Sequence, residues 1–212
     1  MEEKKVSRIP YFYLSTVMIF TMLLGSIPNQ ASAARSHGFT FPLVVSAGAA
    51  SCLPNASGTV NVTNIRGTDN QLMQVSVSGL PRNTGFDFFV IQDPVAPFGL
   101  SWYQGDIQTN RHGKASAEFI GKFNIETFIV APGATSAPVV FTDTPFPDDS
   151  TNPATGPVHT YHLGLWFNSF QEAAAVGCPD TVTPFSGEHT AGIQVLHTLS
   201  DEFGFGPLAH VK

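Results

Sequence analysis

The sequence predicts an all-β protein: an antiparallel Greek-key β-sandwich, with a jelly-roll-like fold as the alternative and at most one short helix. Three observations predict it. Apolar and polar residues alternate with period two, best in Gln71–Ser78, where Met73, Val75 and Val77 alternate with Gln74, Ser76 and Ser78. Turn residues punctuate such segments, as in Gly79-Leu80-Pro81-Arg82-Asn83-Thr84-Gly85. The 212 residues include 18 Phe against two Trp and four Tyr, a supply of rings that suits a core packed between two sheets.

The chain opens on a different pattern. Lys4, Lys5 and Arg8 precede an apolar run from Tyr11 to Gly25, and Ala31-Ser32-Ala33 follows. Positive region, short apolar region and small residues at the cut make a secretory signal, bacterial in type. Residues 1–33 are therefore expected to be a signal peptide, and 34–212 a single β-sandwich domain. The rival reading is an uncleaved anchor, but the apolar run is short of the roughly 20 residues a spanning helix needs. The expected product is secreted, extracellular or at the cell surface, with no stable membrane span after cleavage.

The strands follow in order. Phe39–Ser46 is apolar and interrupted by Pro42, so it reads as a first or edge strand. Gly58–Ile65 puts Val60 and Val62 on one face. The stretch from Gln71 to Phe119 is a meander: the alternating strand, the apolar run Phe86–Ile91, a Pro- and Gly-bearing loop, the pair Trp102-Tyr103, a turn at Asn110–Gly113, and a strand carrying Ala115, Ala117 and Phe119. Further strands are expected at Phe123–Ala131 and Val139–Phe141. Val158–Phe167 places Tyr161, Leu163, Leu165 and Phe167 on one face. Thr190–Leu199 places Ile193, Val195 and Leu199 in phase. Phe170–Val176 is the one helical stretch, with Gly177 as its stop. Thr142–Pro157 is a long loop.

Charge excludes some partners. The formal net charge is −6 and no basic run follows the leader, so nucleic acid is not an expected partner. Anionic lipid is disfavoured for the same reason. The two cysteines, Cys52 and Cys178, are expected to form a disulfide, since export removes them from a reducing compartment and only one pairing exists.

No catalytic constellation appears. There is no G-x-S-x-G, H-E-x-x-H or P-loop. Among the seven histidines, His159 and His162 are closest, but positions three apart on a strand face opposite sides. They read as strand histidines with ordinary hydrogen-bond partners, and His197 as a core or rim histidine on the face of Ile193 and Val195. His112 reads as solvated. Asp143, Asp148 and Asp149 lack an EF-hand spacing and read as a solvated loop. Ser186-Gly187-Glu188-His189 reads as a polar turn. No cofactor, metal ligand or catalytic residue is assigned. The candidate ligand-groove aromatics are Trp102, Tyr103 and Trp166, with Trp102 and Tyr103 on opposite faces of their strand.

Two turn motifs carry a resemblance: Gly79-Leu80-Pro81-Arg82-Asn83-Thr84 and Gly105-Asp106-Ile107-Gln108-Thr109-Asn110-Arg111-His112-Gly113. In their cadence they resemble secreted bacterial β-sandwich domains of the chordin-type (CHRD) and copper–zinc superoxide dismutase kinds. The resemblance implies a sandwich. It does not carry over a metal site, because the dismutase strand has an H-x-H pair where this chain has Phe86-Asp87-Phe88-Phe89-Val90-Ile91. The expected function is a non-catalytic binding or surface-structural module for an extracellular or cell-surface ligand. The alternatives are an extracellular hydrolase with carboxylates brought together by the fold, and a metal-binding module.

Overall fold

The computed structural model describes residues 38–132, 155–183 and 189–212. The signal peptide expected at 1–33, the strand expected at 139–141, the acids of the 142–157 loop and residues 186–188 of the polar turn lie outside them.

Two four-stranded antiparallel sheets make a sandwich. The first runs β1 (Phe39–Val45), β2 (Ser57–Asn64), β3 (Gln71–Ser78), β6 (Ala115–Gly121). The second runs β5 (Ser101–Gln108), β4 (Gly85–Ile91), β9 (His162–Phe167), β10 (Gln194–His197). A short pairing of Val44 and Val45 with His197 and Leu196 joins them into one nearly closed sheet. β6 pairs with β3 rather than with β5, so the chain crosses between sheets after β3 and returns after β5, in Greek-key fashion. A separate hairpin pairs β7 (Phe128–Pro132) with β8 (Thr155–His159).

The core lies between the sheets. Val60, Met73 and Val75 of the first sheet meet Phe86, Phe88, Leu163, Leu165 and Phe167 of the second, all buried. Phe119 of β6 stacks on Phe88 of β4 across the sandwich, centroids 5.6 Å apart. The alternation of β2 and β3 is realised: inward valines, outward Thr59, Asn61, Gln74 and Ser76.

The second sheet is different, because β4 and β9 are buried on both faces. Its outer side carries Phe89, Ile91 and Trp166 as a second apolar cluster. Two segments roof it. The β4–β5 loop brings Phe98 edge-on to Trp166 at 5.1 Å, and Gln194 Nε2 donates to the Pro94 carbonyl at 3.0 Å. The segment after β10 brings the Gly204 backbone and Asp201 near His162.

The helix α1 (Phe170–Ala175) starts where Ser169 accepts from the Glu172 N–H, and Glu172 Oε2 accepts in return from the Ser169 hydroxyl at 3.0 Å. It ends at Gly177, in the left-handed region at φ 78°. Just beyond, Cys178 is joined to Cys52, with Cα atoms 5.2 Å apart.

Three expectations on strand limits and one on a strand face change. Phe123–Thr127 is a turn, and only Phe128–Pro132 is strand. Val158–Phe167 is broken at Thr160-Tyr161 into β8 and β9, which belong to different sheets. The last strand is only Gln194–His197, and Leu199 is exposed rather than in phase with Val195. A register shift between Gln194 and Leu196 also sets His197 opposite Gly164, on the face of His162 and Trp166. That is the face opposite to the one its spacing implied.

Candidate binding groove

The motifs that carry the resemblance are used structurally. Leu80 N–H donates to the Gly113 carbonyl, Asn83 N–H to the Asn110 carbonyl, and Thr109 N–H to the Thr84 carbonyl. The Thr109 hydroxyl donates to the Pro81 carbonyl at 2.6 Å and accepts from the Thr84 N–H at 2.9 Å. Gly113 sits at φ 67° with an added Cβ only 2.0 Å from the Leu80 carbonyl oxygen, so the position demands glycine. The two turns lock to one another.

A groove does form where β5 and β6, the two edges of the nearly closed sheet, face each other without pairing. It measures about 390 Å³ and is lined by Trp102 and Gln104 of β5, Gly121 at the end of β6, Lys122, Phe123, Glu126 and Thr127 of the following turn, and Phe128 of β7. That volume falls in the lower part of the ligand-site range. A bulge shapes it. Gly105 pairs with Phe88 and Tyr103 with Phe89, leaving Gln104 as the extra residue. Gly105 lies so near Phe119 that a Cβ there would stand 2.7 Å from the ring, so the seam is filled at that end and open at Trp102. Trp102 is half-buried against the core, and its Nε1–H donates to Gln104 Oε1 at 3.1 Å.

The opposite wall is held by hydrogen bonds. Thr127 Oγ1 donates to the Lys122 carbonyl at 3.1 Å and accepts from the Asn124 N–H at 2.9 Å. Asn124 Oδ1 accepts from the Glu126 N–H, and the Phe123 N–H donates to buried Gln71 at 2.8 Å. Tyr161 Oη donates to the Ile125 carbonyl at 2.8 Å. Lys122 Nζ and Glu126 Oε2 pair at 3.0 Å. Such a wall loses little freedom when a ligand arrives.

Of the three aromatics picked from the sequence, only Trp102 lines this groove. Tyr103 points to the other face, half exposed and edge-on to Phe89 at 5.7 Å. Burial, the hydrogen-bonding carboxylate of Asp106 and the charge of Asp87 push its phenol up to about 12, so it is neutral. Trp166 is fully buried beneath the roof of the second sheet, within the Phe89 and Phe98 cluster, and offers no surface to a ligand. Sequence reasoning missed Gln104, Lys122, Glu126, Thr127 and Phe128. The Trp102–Gln104 spacing of two, which puts both on one strand face, was an available signal; the turn that supplies the far wall had none.

The histidines have structural partners. Thr198 Oγ1 is 3.0 Å from His162 Nδ1 and accepts from the Leu163 N–H, while its carbonyl is 2.9 Å from His197 Nδ1. Burial, reinforced by His197, lowers His162 to about 4, outweighing the opposite pull of Asp93, the Gly204 backbone and Asp201. His159 stacks on Tyr161 at 5.0 Å. Among the described residues, no three His, Cys, Asp or Glu side chains are placed to share a metal ion. Among them, too, no helix is long and apolar enough to cross a membrane.

Comparison with known proteins adds no family. The chain matches no protein-family model and no curated protein.

Proposed function

We propose that this is an exported, non-catalytic β-sandwich that binds an extracellular ligand in the groove at Trp102. The observation that carries the reading is the coincidence of an open seam, a half-buried tryptophan and a wall pre-set by hydrogen bonds. The disulfide between Cys52 and Cys178 supports export. The sandwich, with its paired turn motifs, supports kinship in fold with CHRD-type and dismutase-type domains.

The groove's chemistry favours binding over hydrolysis. Glycoside hydrolysis calls for two carboxyl groups flanking the bond. The groove has a single lining carboxylate, Glu126, and Lys122 already holds it as an ion pair.

The test is a titration followed by the indole N–H resonances of the two tryptophans, which report separately on the groove and on the buried roof. Neutral oligosaccharides, extended peptides and a medium-chain fatty acid serve as probes. Saturable movement of the Trp102 signal with one class, while Trp166 stays still, is the expected result. If no class moves Trp102, or the purified protein cleaves its probe, the reading is wrong.

A further inference from the structure

We infer that the groove takes an uncharged carbohydrate chain, one ring against Trp102 and the next rings running out over Phe128, His159 and Tyr161. This rests on the groove being the binding site.

Charge is the first argument. The ionic side chains lining the groove, Lys122 and Glu126, neutralise each other at 3.0 Å. A groove with no net charge gives no purchase to a phosphate, a carboxylate or a cation. The net charge of −6 argues further against an anionic membrane surface.

The lining is the second. Trp102, Phe123 and Phe128 offer apolar ring surface, while Gln104 and Thr127 supply hydrogen-bonding groups beside it. An indole N–H can only donate, so the Gln104 atom facing it is the carbonyl oxygen, and the amide NH2 is left to donate elsewhere. A sugar ring has this mixed character: C–H groups on its faces and hydroxyls around its rim. A fatty acid would leave the amide without a partner, at a cost.

The third argument is continuation. Phe128 is 46% exposed and belongs both to the groove and to a file of rings. Its centroid lies 6.2 Å from that of His159, which stacks on Tyr161 at 5.0 Å and 20°, and Tyr161 lies 6.2 Å from half-exposed Phe205. The turn carbonyls of Thr127 and Ile125 hold His159 and Tyr161 in place. A file of rings leading out of an open groove suits a polymer better than a single small molecule.

The experiment is an array of neutral and acidic glycans probed with the purified protein, followed by calorimetry on neutral oligomers of increasing length. The expected result is binding of a neutral glycan that tightens from two rings to six, with Trp102→Ala and Gln104→Ala each weakening it by about tenfold. Phe205→Ala should weaken the six-ring oligomer and leave the two-ring oligomer unchanged. Gln104→Ala keeps the tryptophan and its packing, so the test survives if the Trp102 variant does not fold. Acidic glycans bound in preference, or no neutral glycan bound, overturns the inference. Should a peptide or fatty acid bind in a Trp102-dependent way instead, the carbohydrate falls and the groove stands. Glycan binding unchanged in both groove variants removes the groove itself.

Discussion

The outer faces of the two sheets were built under opposite rules. On the first sheet the outward side chains include Thr59, Asn61, Gln74, Ser76, Ser116 and Glu118 beside the exposed Ile120, and two pairs bond across strands: Ser76 to Ser116 at 3.2 Å, Gln74 Nε2 to Glu118 at 2.8 Å. Water is their environment. On β4, β9 and β10 of the second sheet the outward side chains, Asp87, Phe89, Ile91, His162, Trp166 and Gln194, are all buried, while Tyr103 and Asp106 of the edge strand β5 stay exposed. A sheet with one wet face needs only alternation. A sheet covered on both sides needs a roof, and the roof's residues come from distant parts of the chain. Hence the first sheet is stabilised locally and the second by the tertiary structure around it.

The disulfide is the strongest link between the two regimes. It joins the turn after β1 to the segment after α1, 126 residues apart. Chain entropy values such a closure at about 5 kcal/mol, so reduction should lower the unfolding free energy by that order. A loss under about 1 kcal/mol in urea melts would mean that sheet pairing alone fixes both ends.

Trp166→Ala should cost about 3–5 kcal/mol by emptying the space under the roof, while Ser76→Ala on the wet face stays within about 0.5 kcal/mol. Equal effects of the two substitutions in equilibrium unfolding would erase the contrast between the faces.

Acid should find the second sheet first. His162 is held neutral, with a folded value of about 4 against 6.5 when unfolded. Between those values the unfolded chain binds more protons, so the stability this residue contributes is complete above pH 6.5 and lost as pH falls toward 4, on the order of 3 kcal/mol. Carboxylates titrate in the same window. The informative quantity is therefore the difference between wild type and His162→Gln, measured by thermal or urea unfolding across pH 4–7. An identical pH slope in both proteins would rule His162 out as the sensitive group.

These differences explain what could be read from the sequence. β2 and β3 were legible because each inward valine has an outward polar neighbour. Phe86–Ile91 was legible as a strand, but nothing in it says that Phe89 and Ile91 need a cover. For the same reason Trp166 looked like a groove residue: its exposure depends on Phe98 of the β4–β5 loop, not on its neighbours in sequence. His197 was set on the wrong face by a single bulge, which periodicity cannot anticipate. In the groove, Trp102 was legible as a candidate ligand aromatic on a strand. The turn at Lys122–Thr127 was hidden because Phe123-Asn124-Ile125-Glu126 alternates like the start of a strand, and its hydrogen bonds come from Asn124, Thr127 and the remote Gln71.

The unpaired seam between β5 and β6 bears on solubility as well. A free sheet edge is a template on which another molecule can add a strand. Here the two free edges are turned toward each other. The bulge at Gln104 interrupts one, and the Phe119 ring occupies the narrow end between them. Neither offers a straight, open ladder to a neighbouring chain. By leaving its last gap unclosed but internal, the sandwich keeps the groove at Trp102 while withholding a straight edge along which copies of it would add strands.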